Sequence, residues 1–427
     1  MITMRTFMAA LLSAALMCSA CQSGPNSETK KASPLTYVPH VPDAESQYAQ
    51  EPMGLKPAFD YFRDEGLTVG WNLGNTLDSW SIGLSGEDVF WGNPKANQAI
   101  FDGVKAAGFN VIRIPVTWFG HIGPAPDYHI DEAYLRRVAE VAGYAHEAGF
   151  KAVIINLHHD GSTDRKNGIT RDYGWLALNT ARRDAEGCNE VSFQFGRVWK
   201  QIAQYFAHYG DWLIFEAFNE LHDGGWGWSP ETQQRQLYVI INQLNQLFTD
   251  VVRSTGGNNG ERYLMVTGLS AASKHTLGDY FVLPSDTVPG RQIVSFHYYD
   301  PYEFGIAGTR SNWGTDADRQ KTDRDFAPFK TTFVDKSIPV IMGECGAVRQ
   351  LYPEDKAKED AARQNRVAYI SHVFSRAHEY GIVPIYWDNG DFSSMNGEKF
   401  ALFDRSNGKP NSDESAAVIR AMINAVK

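Results

Sequence analysis

The sequence predicts a single-domain (β/α)8 TIM barrel, in which eight parallel strands alternate with outer helices. Eight short apolar runs, each of strand length, alternate with stretches whose apolar residues recur at helical spacing. Polar side chains cluster at the C-terminal ends of these runs, the end at which such barrels carry their functional residues. The 427 residues exceed the usual single-domain length but suit a barrel with long loops.

The first element of the chain is a targeting segment. Arg5, an apolar run over residues 7–17 and the small residues before Cys21 predict a signal peptide over residues 1–20. The pattern resembles a bacterial lipoprotein signal, although Cys18 stands where Leu is usual. We therefore expect lipidation of Cys21 and anchoring to the bacterial outer membrane, with no other segment apolar enough to enter a bilayer.

The next segment, residues 21–52, is polar and rich in Ser, Pro, Lys and Glu, which predicts a flexible tether. The remaining residues, 53–427, form the predicted barrel domain, which we expect to be monomeric. The eight predicted strands are residues 67–74, 110–116, 151–158, 212–220, 262–268, 292–299, 338–346 and 382–390.

Composition limits the classes of partner. A formal net charge of -10 without a basic stripe argues against nucleic acid. The 11 Trp residues exceed what a core needs, and flat rings suit sugar surfaces. After removal of the signal, Cys21, Cys188 and Cys345 remain, which is not a disulfide framework. Whether Cys188 and Cys345 pair is left open.

Two carboxylates stand out among the polar side chains at the ends of the strands. In the fourth strand, a spacing of two is expected to place Glu216, Phe218 and Glu220 on one face. Glu344 ends the seventh strand, on the opposite side of the barrel from Glu220. Glycoside hydrolysis requires such a pair, with one carboxyl to protonate the leaving oxygen and one to attack the sugar.

Other polar side chains suit supporting roles. Arg113 is expected to keep Glu344 ionised, because a nearby cation favours the charged form. An alternative partner for Arg113 is Glu216, since both point into the barrel, and both contacts can coexist. Tyr299 is expected to donate a hydrogen bond to Glu344. Asn219 is expected to hold the sugar 2-hydroxyl.

Further candidates follow the first, third, sixth and eighth strands. His158 and His297 are expected to hydrogen-bond the sugar or to orient the glutamates, and Trp387 to form an apolar floor. His159 and Asn75 complete the supporting set. Adjacent residues of a strand face opposite sides, so we expect His158 and His159 to chelate a metal poorly. We therefore expect neither a metal nor another cofactor.

The run from Trp71 to the C terminus resembles glycoside hydrolase family 5. The motifs that carry the resemblance are GWNLGNTLD, NVIRIPVTW, INLHHD, FEAFNE, FHYYDPYEF, MGECG and YWDNG, in the family's order. The resemblance implies a retaining mechanism with Glu220 as acid/base and Glu344 as nucleophile. It also implies supporting roles for Arg113, His158, Asn219, His297, Tyr299 and Trp387. The chain departs from the family where Leu221 and Cys345 follow the two glutamates.

The opening motif GWNLGNTLD resembles the branches of the family that cut β-1,4-glucans internally, namely cellulases, lichenases and xyloglucanases. A β-1,4-mannanase or xylanase could use the same machinery, since specificity depends on subsite shape. A non-catalytic glycan-binding barrel predicts the loss of Glu220 or Glu344, and both are present. In the loop HDGGWGW that follows Glu220, Trp226 and Trp228 either line further subsites or pack on the barrel.

Overall fold

Eight parallel strands close into a barrel, as the sequence predicts. The computed structural model describes residues 49–427 except 82–83, 86–88, 167–168 and 394–396. The predicted signal peptide, Cys21 and nearly all of the predicted tether lie outside the described residues. The barrel strands adjoin one another in the order of the chain, and the last barrel strand pairs with the first to close the ring.

Four short strands accompany the barrel as two antiparallel hairpins, one in the loop after the first barrel strand and one in the loop after the third. The strands are β1 (Gly70–Leu73), β2 (Trp80–Ser81), β3 (Leu84–Ser85), β4 (Val111–Ile114), β5 (Ala152–Ile155), β6 (Thr163–Lys166), β7 (Ile169–Asp172), β8 (Leu213–Glu216), β9 (Leu264–Ala272), β10 (Gln292–Tyr298), β11 (Val340–Cys345) and β12 (Ile382–Asp388).

Helices connect the barrel strands and cover their outer faces. The helices are α1 (Ala58–Asp64), α2 (Gln98–Ala106), α3 (Glu132–Glu147), α4 (Leu178–Arg183), α5 (Ala185–Tyr205), α6 (Glu231–Ser254), α7 (Ser273–Thr276), α8 (Tyr302–Gly305), α9 (Asp316–Thr332), α10 (Lys356–Glu379) and α11 (Asp413–Ala425), with 3-10 turns at His159–Gly161, Gly257–Gly260 and Val334–Lys336. Several begin with a side-chain cap, such as Asp131 at α3, which accepts from Ala133 N.

The interior of the barrel is apolar toward the N-terminal ends of the strands and polar toward their C-terminal ends. Side chains two residues apart on a strand share a face, so one strand can contribute to both layers. Val111 of β4 and Ile214 of β8 belong to the apolar cluster that fills the barrel. Two residues further along the same strands stand Arg113 and Glu216, both fully buried. The apolar filling therefore supports a layer of polar groups directly beneath the mouth of the barrel.

The expected alignment of Glu216, Phe218 and Glu220 is wrong for Phe218. Strand β8 ends at Glu216, and the chain bends before Glu220. Phe218 consequently packs outward against Phe195 of α5, with ring centroids 6.3 Å apart. Glu220 reaches the site from the loop after the strand, not from the strand itself.

A β-bulge in β11 directs Glu344 toward the mouth of the barrel. Phe296 of β10 pairs with Met342, whereas the next residue, His297, pairs with Glu344, so Gly343 is the extra residue. A Cβ at Gly343 would lie 2.9 Å from the Ser295 hydroxyl, which explains why a glycine is required there. The bulge thus turns Glu344 toward His297 at the mouth of the barrel.

Two further points bear on the sequence predictions. Cys188 and Cys345, whose pairing was left open, are both buried free thiols. In the part of the chain that the structure describes, no helix has the length and apolar character that a membrane crossing requires.

Candidate active site

The two predicted carboxylates meet at the mouth of the barrel. Nδ1 of His297 lies 2.6 Å from Oε1 of Glu220 and 3.6 Å from Oε2 of Glu344. One oxygen of each carboxylate and one ring nitrogen of His297 all lie within 4.8 Å of one another. The loop after β8 and the bulge in β11 therefore bring the pair together, with the histidine between them.

Glu344 is held by two donors. Arg113 donates from Nη1 to its Oε1 at 2.8 Å, and the Tyr299 hydroxyl donates to its Oε2 at 3.0 Å. Both contacts are those that the sequence predicts. Burial raises the pKa of Glu344, and the neighbouring His297 and the Arg113 guanidinium oppose that rise. The two donors stabilise the carboxylate form, which is the form that a nucleophile requires.

Arg113 organises the polar layer. Its Nε and Nη2 donate to the two oxygens of Glu216 at 2.7 and 3.1 Å, so the alternative partner is also present. Its Nη2 also donates to Oδ1 of Asn219 at 2.8 Å, and its Nη1 to Oδ1 of Asn72 at 3.1 Å. Because the oxygen of Asn219 faces Arg113, its amide nitrogen points elsewhere, and Asn219 lines the cleft.

Glu220 has a different environment from Glu344. Burial raises its pKa to about 7, with Glu216 adding to the rise and Arg113 opposing it. Its partner His297 has a pKa lowered by burial to about 4, and is therefore neutral near pH 7. A carboxyl that keeps a proton near neutral pH can act as a general acid.

An open cleft of about 430 Å³ runs past Glu220. Aromatic and imidazole rings form much of its wall, which suits a sugar polymer. The residues that line it are Trp80, His158, His159, Gly161, Ser162, Thr163, Asp164, Tyr173, Asn219, Glu220, Leu221, His222 and Trp226.

Comparisons with known proteins agree with this geometry. The model of the family described as cellulase (glycosyl hydrolase family 5) matches residues 75–393. The chain belongs to glycosyl hydrolase family 5. A solved GH5-4 broad specificity endoglucanase from Bacteroides salanitronis is 40% identical, with a TM-score of 0.77 over 89% of this chain and 97% of that one.

Two curated relatives carry related names. Endoglucanase A of Paenibacillus barcinonensis is 36% identical over 366 residues, which cover 80% of this chain and 84% of that protein. A xyloglucan-specific endo-β-1,4-glucanase of Bacteroides ovatus is 31% identical over 400 residues, which cover 90% of this chain and 74% of that protein. The family 5 resemblance that the motifs indicate is therefore confirmed.

In this family 5 protein, His158 lies close to both Glu344 and Trp387. Its ring lies parallel to that of Trp387, at 6° with centroids 5.6 Å apart. Its Nε2 is 3.9 Å from Oε1 of Glu344 and 3.9 Å from Oδ2 of Asp78, both too far for a hydrogen bond. Nδ1 is buried and has no partner among the described residues. His158 also lines the cleft, and its predicted contact with the sugar stays a prediction.

The expectation that His158 and His159 face opposite sides of a strand, and therefore chelate a metal poorly, is wrong about their orientation. Strand β5 ends at Ile155, so His158 and His159 do not face opposite sides, and Nε2 of each lies 3.9 Å from Oδ2 of Asp78. Together the three can offer ligand atoms within 4.8 Å of one another. However, Asp78 already accepts hydrogen bonds from the backbone N–H groups of Asn75 and Thr76, one on each oxygen, so its carboxylate closes a turn.

The remaining predicted residues lie around this center. His159 lines the cleft, and its ring approaches that of Trp91 with centroids 5.6 Å apart. Trp387 is 8% exposed and lies in the small apolar cluster with Phe400. Asn75 has a left-handed backbone, with φ of 54°, and does not line the cleft. Its predicted supporting role stays a prediction.

Sequence reasoning missed Tyr173 and His222. Tyr173 follows the β6–β7 hairpin, and its ring lies 5.6 Å from that of Trp80 in the wall of the cleft. The hairpin strands are short and polar, so no apolar alternation marks them. His222 stacks on Trp226 with ring centroids 3.7 Å apart. Both residues lie in one loop, and the conformation of that loop could not be predicted from the sequence.

Proposed function

We propose that this family 5 enzyme cleaves internal β-1,4 bonds of a plant-type β-glucan with retention of configuration, using Glu220 as acid/base and Glu344 as nucleophile. The observation that carries the proposal is the spacing of the pair. Oxygens of the two carboxylates lie within 4.8 Å of each other. Retaining enzymes hold the pair about 5–5.5 Å apart, whereas inverting enzymes leave roughly 6.5–9.5 Å for a water molecule.

In the first step, Glu220 gives its proton to the oxygen of the leaving sugar while Glu344 attacks the anomeric carbon. The bond to the leaving sugar breaks, and an ester forms between the sugar and Glu344. Arg113 and Tyr299 position the attacking carboxylate. The amide of Asn219 is placed to hold the 2-hydroxyl, a contact that strengthens in the transition state.

In the second step, the deprotonated Glu220 takes a proton from water, whose oxygen attacks the anomeric carbon and breaks the ester. The Glu344 carboxylate is restored and Glu220 is again protonated. His297 supports both steps, because its Nδ1 contacts Glu220 at 2.6 Å and its ring stays neutral near pH 7. Two inversions at the same carbon leave its configuration unchanged.

Capture of the ester tests this mechanism. A 2-deoxy-2-fluoro cellobioside with a dinitrophenyl leaving group should inactivate the enzyme, and mass spectrometry of the digested protein should place the sugar on Glu344. Glu344→Gln is the matched control, because it keeps the shape of the side chain and should take no label. A label on another residue, or a reaction product of inverted configuration, would refute the assignment.

The substrate class rests on the open cleft, its aromatic wall and the relatives named endoglucanase and xyloglucan-specific endo-β-1,4-glucanase. An open cleft admits a polymer along its length and favours internal cleavage. A reducing-end assay on carboxymethylcellulose, mixed-linkage glucan, xyloglucan, glucomannan and xylan, with product sizes recorded, should show the glucans cut fastest. Preference for glucomannan or xylan would favour the mannanase or xylanase alternative.

The cellular location is a separate proposal. We propose that lipidation of Cys21 anchors the enzyme, as a monomer, to the outer membrane on the polar tether over residues 21–52. Cells that express the full chain should incorporate labelled palmitate into it. Cys21→Ala should release the protein to the soluble fraction, and a variant that stays in the membrane would contradict the anchor.

A further inference from the structure

The hairpin of β6 and β7, in the loop after β5, gathers two cations on one face. Side chains directly opposite each other in an antiparallel pair share a face, and so do residues two apart on one strand. Asp164 pairs with Arg171, and Lys166 pairs with Ile169. These four side chains therefore stand together, and all four residues are exposed. We call this side of the hairpin the cationic face.

The opposite face of the hairpin is used for packing. It carries Thr163, Arg165 and Thr170, the residues that alternate with those of the cationic face. A Cβ on Gly224, in the loop after β8, would lie 3.2 Å from Cβ of Arg165 and 3.3 Å from Cγ2 of Thr163. The loop after β8 thus lies against this opposite face. The cationic face is directed away from that loop.

The cationic face borders the cleft. It forms a pocket of about 220 Å³, which is lined by Asp164, Lys166, Ile169, Arg171 and Tyr173. Asp164 and Tyr173 also line the cleft that runs past Glu220. The Tyr173 ring lies 5.6 Å from that of Trp80 in the wall of this cleft. The pocket is therefore an extension of the cleft, and a polymer bound in the cleft can reach it.

The two cations of this pocket are unpaired. In the part of the chain that the structure describes, neither Lys166 nor Arg171 makes a hydrogen bond or an ion pair, although Asp164 stands opposite Arg171. The chain as a whole has a formal net charge of -10, so a pocket with two free cations is a local exception. A neutral sugar presents no group that requires two cations, whereas a carboxylate accepts hydrogen bonds from both.

We propose that Lys166 and Arg171 bind a carboxylate carried by the substrate, so that the enzyme favours a β-glucan with acidic groups. The inference rests on the proposed function, because it needs a glucan in the cleft. The Arg171 guanidinium can donate two parallel hydrogen bonds to a carboxylate, and the Lys166 ammonium adds a third donor. Ile169 supplies an apolar contact for the sugar that carries the group. Asp164 opposes the binding, because like charges repel.

Two polymers with the same β-1,4-glucan backbone separate this interaction from cleavage itself. Carboxymethylcellulose carries carboxylates, and hydroxyethylcellulose carries neutral groups at the same hydroxyls. The readout is the ratio of kcat/KM on the first polymer to that on the second, measured from new reducing ends. A loss of folded enzyme or of catalysis cancels in this ratio.

Salt and a matched variant separate the pocket from the overall charge of the protein. Rates are measured at about 10 mM salt, where the Debye length is about 30 Å, and at about 1 M, where it is about 3 Å. Arg165→Gln is the matched control, because it removes one positive charge from the opposite face of the same hairpin. The other enzymes compared are the wild type, Lys166→Gln, Arg171→Gln, the double variant of these two, and Asp164→Asn.

At low salt, Lys166→Gln and Arg171→Gln should each lower the ratio about twofold, and the double variant about fivefold. Asp164→Asn should raise the ratio, because it removes the opposing charge. Arg165→Gln should change it less than either single variant of the pocket. At about 1 M salt, the wild type and the double variant should give the same ratio.

Four results would overturn the proposal. They are an unchanged ratio in the double variant, an equal fall in Arg165→Gln, a ratio that does not rise in Asp164→Asn, and a difference between wild type and double variant that persists at high salt. Each of them would remove only the carboxylate site. A wild-type enzyme that releases reducing ends from neither polymer would instead refute the hydrolytic function on which the site rests.

Discussion

Replacing Glu220 with Ala removes the proposed proton donor and leaves the nucleophile with both of its hydrogen bonds. General acid catalysis by a positioned side chain contributes about 10²–10⁴-fold, so hydrolysis of a glucan polymer should slow by that factor. Dinitrophenolate is stable as an anion, so a substrate that carries it can lose this leaving group without protonation. The rate of ester formation from it should therefore fall only slightly.

The pH dependence supplies a second readout. Burial raises the pKa of Glu220 to about 7, so its proton is present below that pH and is lost above it. In the wild type, kcat/KM on polymer should fall about tenfold for each pH unit above the pKa, because only the protonated form can act. In Glu220→Ala this basic limb should be absent.

The assay combines both readouts. Initial rates on carboxymethylcellulose, and the burst of dinitrophenolate from dinitrophenyl β-cellobioside, which reports ester formation alone, are measured from pH 4 to 9 for wild type, Glu220→Ala and Glu220→Gln. Glu220→Gln keeps the shape of the side chain and its place beside His297, but it cannot donate an acidic proton. Equal losses on both substrates, or a basic limb that survives in Glu220→Ala, would refute the assignment of Glu220 as the acid.

Three further changes probe the surroundings of the pair. Tyr299→Phe removes a hydrogen bond to charged Glu344 worth about 1.5–3 kcal/mol, so kcat should fall roughly 10–100-fold and the acidic limb of its pH profile should move upward; an unmoved limb would contradict the contact. Arg113→Lys keeps the positive charge but cannot reproduce the two-pronged bond to Glu216, so urea denaturation should show a loss of about 1–3 kcal/mol, and native stability would argue against that role. Activity should persist in excess chelator, and its loss would point to a metal at Asp78.

The part of the site inside the strands follows from the sequence. The period of two along a strand places Arg113 above Val111 and Glu216 above Ile214, so their contact can be inferred from alternation alone. The barrel itself follows from eight such runs separated by helices, because eight repeats of strand and helix can close a parallel sheet into a barrel with the helices outside. Regular backbone is predictable because its geometry repeats.

Where the backbone stops repeating, the same reasoning fails. Alternation carried past Glu216 misplaces Phe218, because the strand ends there and the chain bends. The bulge at Gly343 depends on pairing with β10, which local sequence does not encode. His158 and His159 converge on Asp78 only because they lie beyond the end of their strand. These departures from regular strand backbone occur at the positions that orient the side chains of the site.

The position of Arg113 explains why two glutamates of one kind can take opposite roles. Its guanidinium is fully buried and donates directly to Glu216 and Glu344, but its bond on the Glu220 side goes to the neighbouring amide of Asn219. The strongest stabilisation of a negative charge therefore reaches Glu344. Glu220 is left with a neutral imidazole and a pKa of about 7. One cation beneath the pair, bonded to one member and not the other, gives the two carboxyls the different surroundings that the proposed roles of acid and nucleophile require.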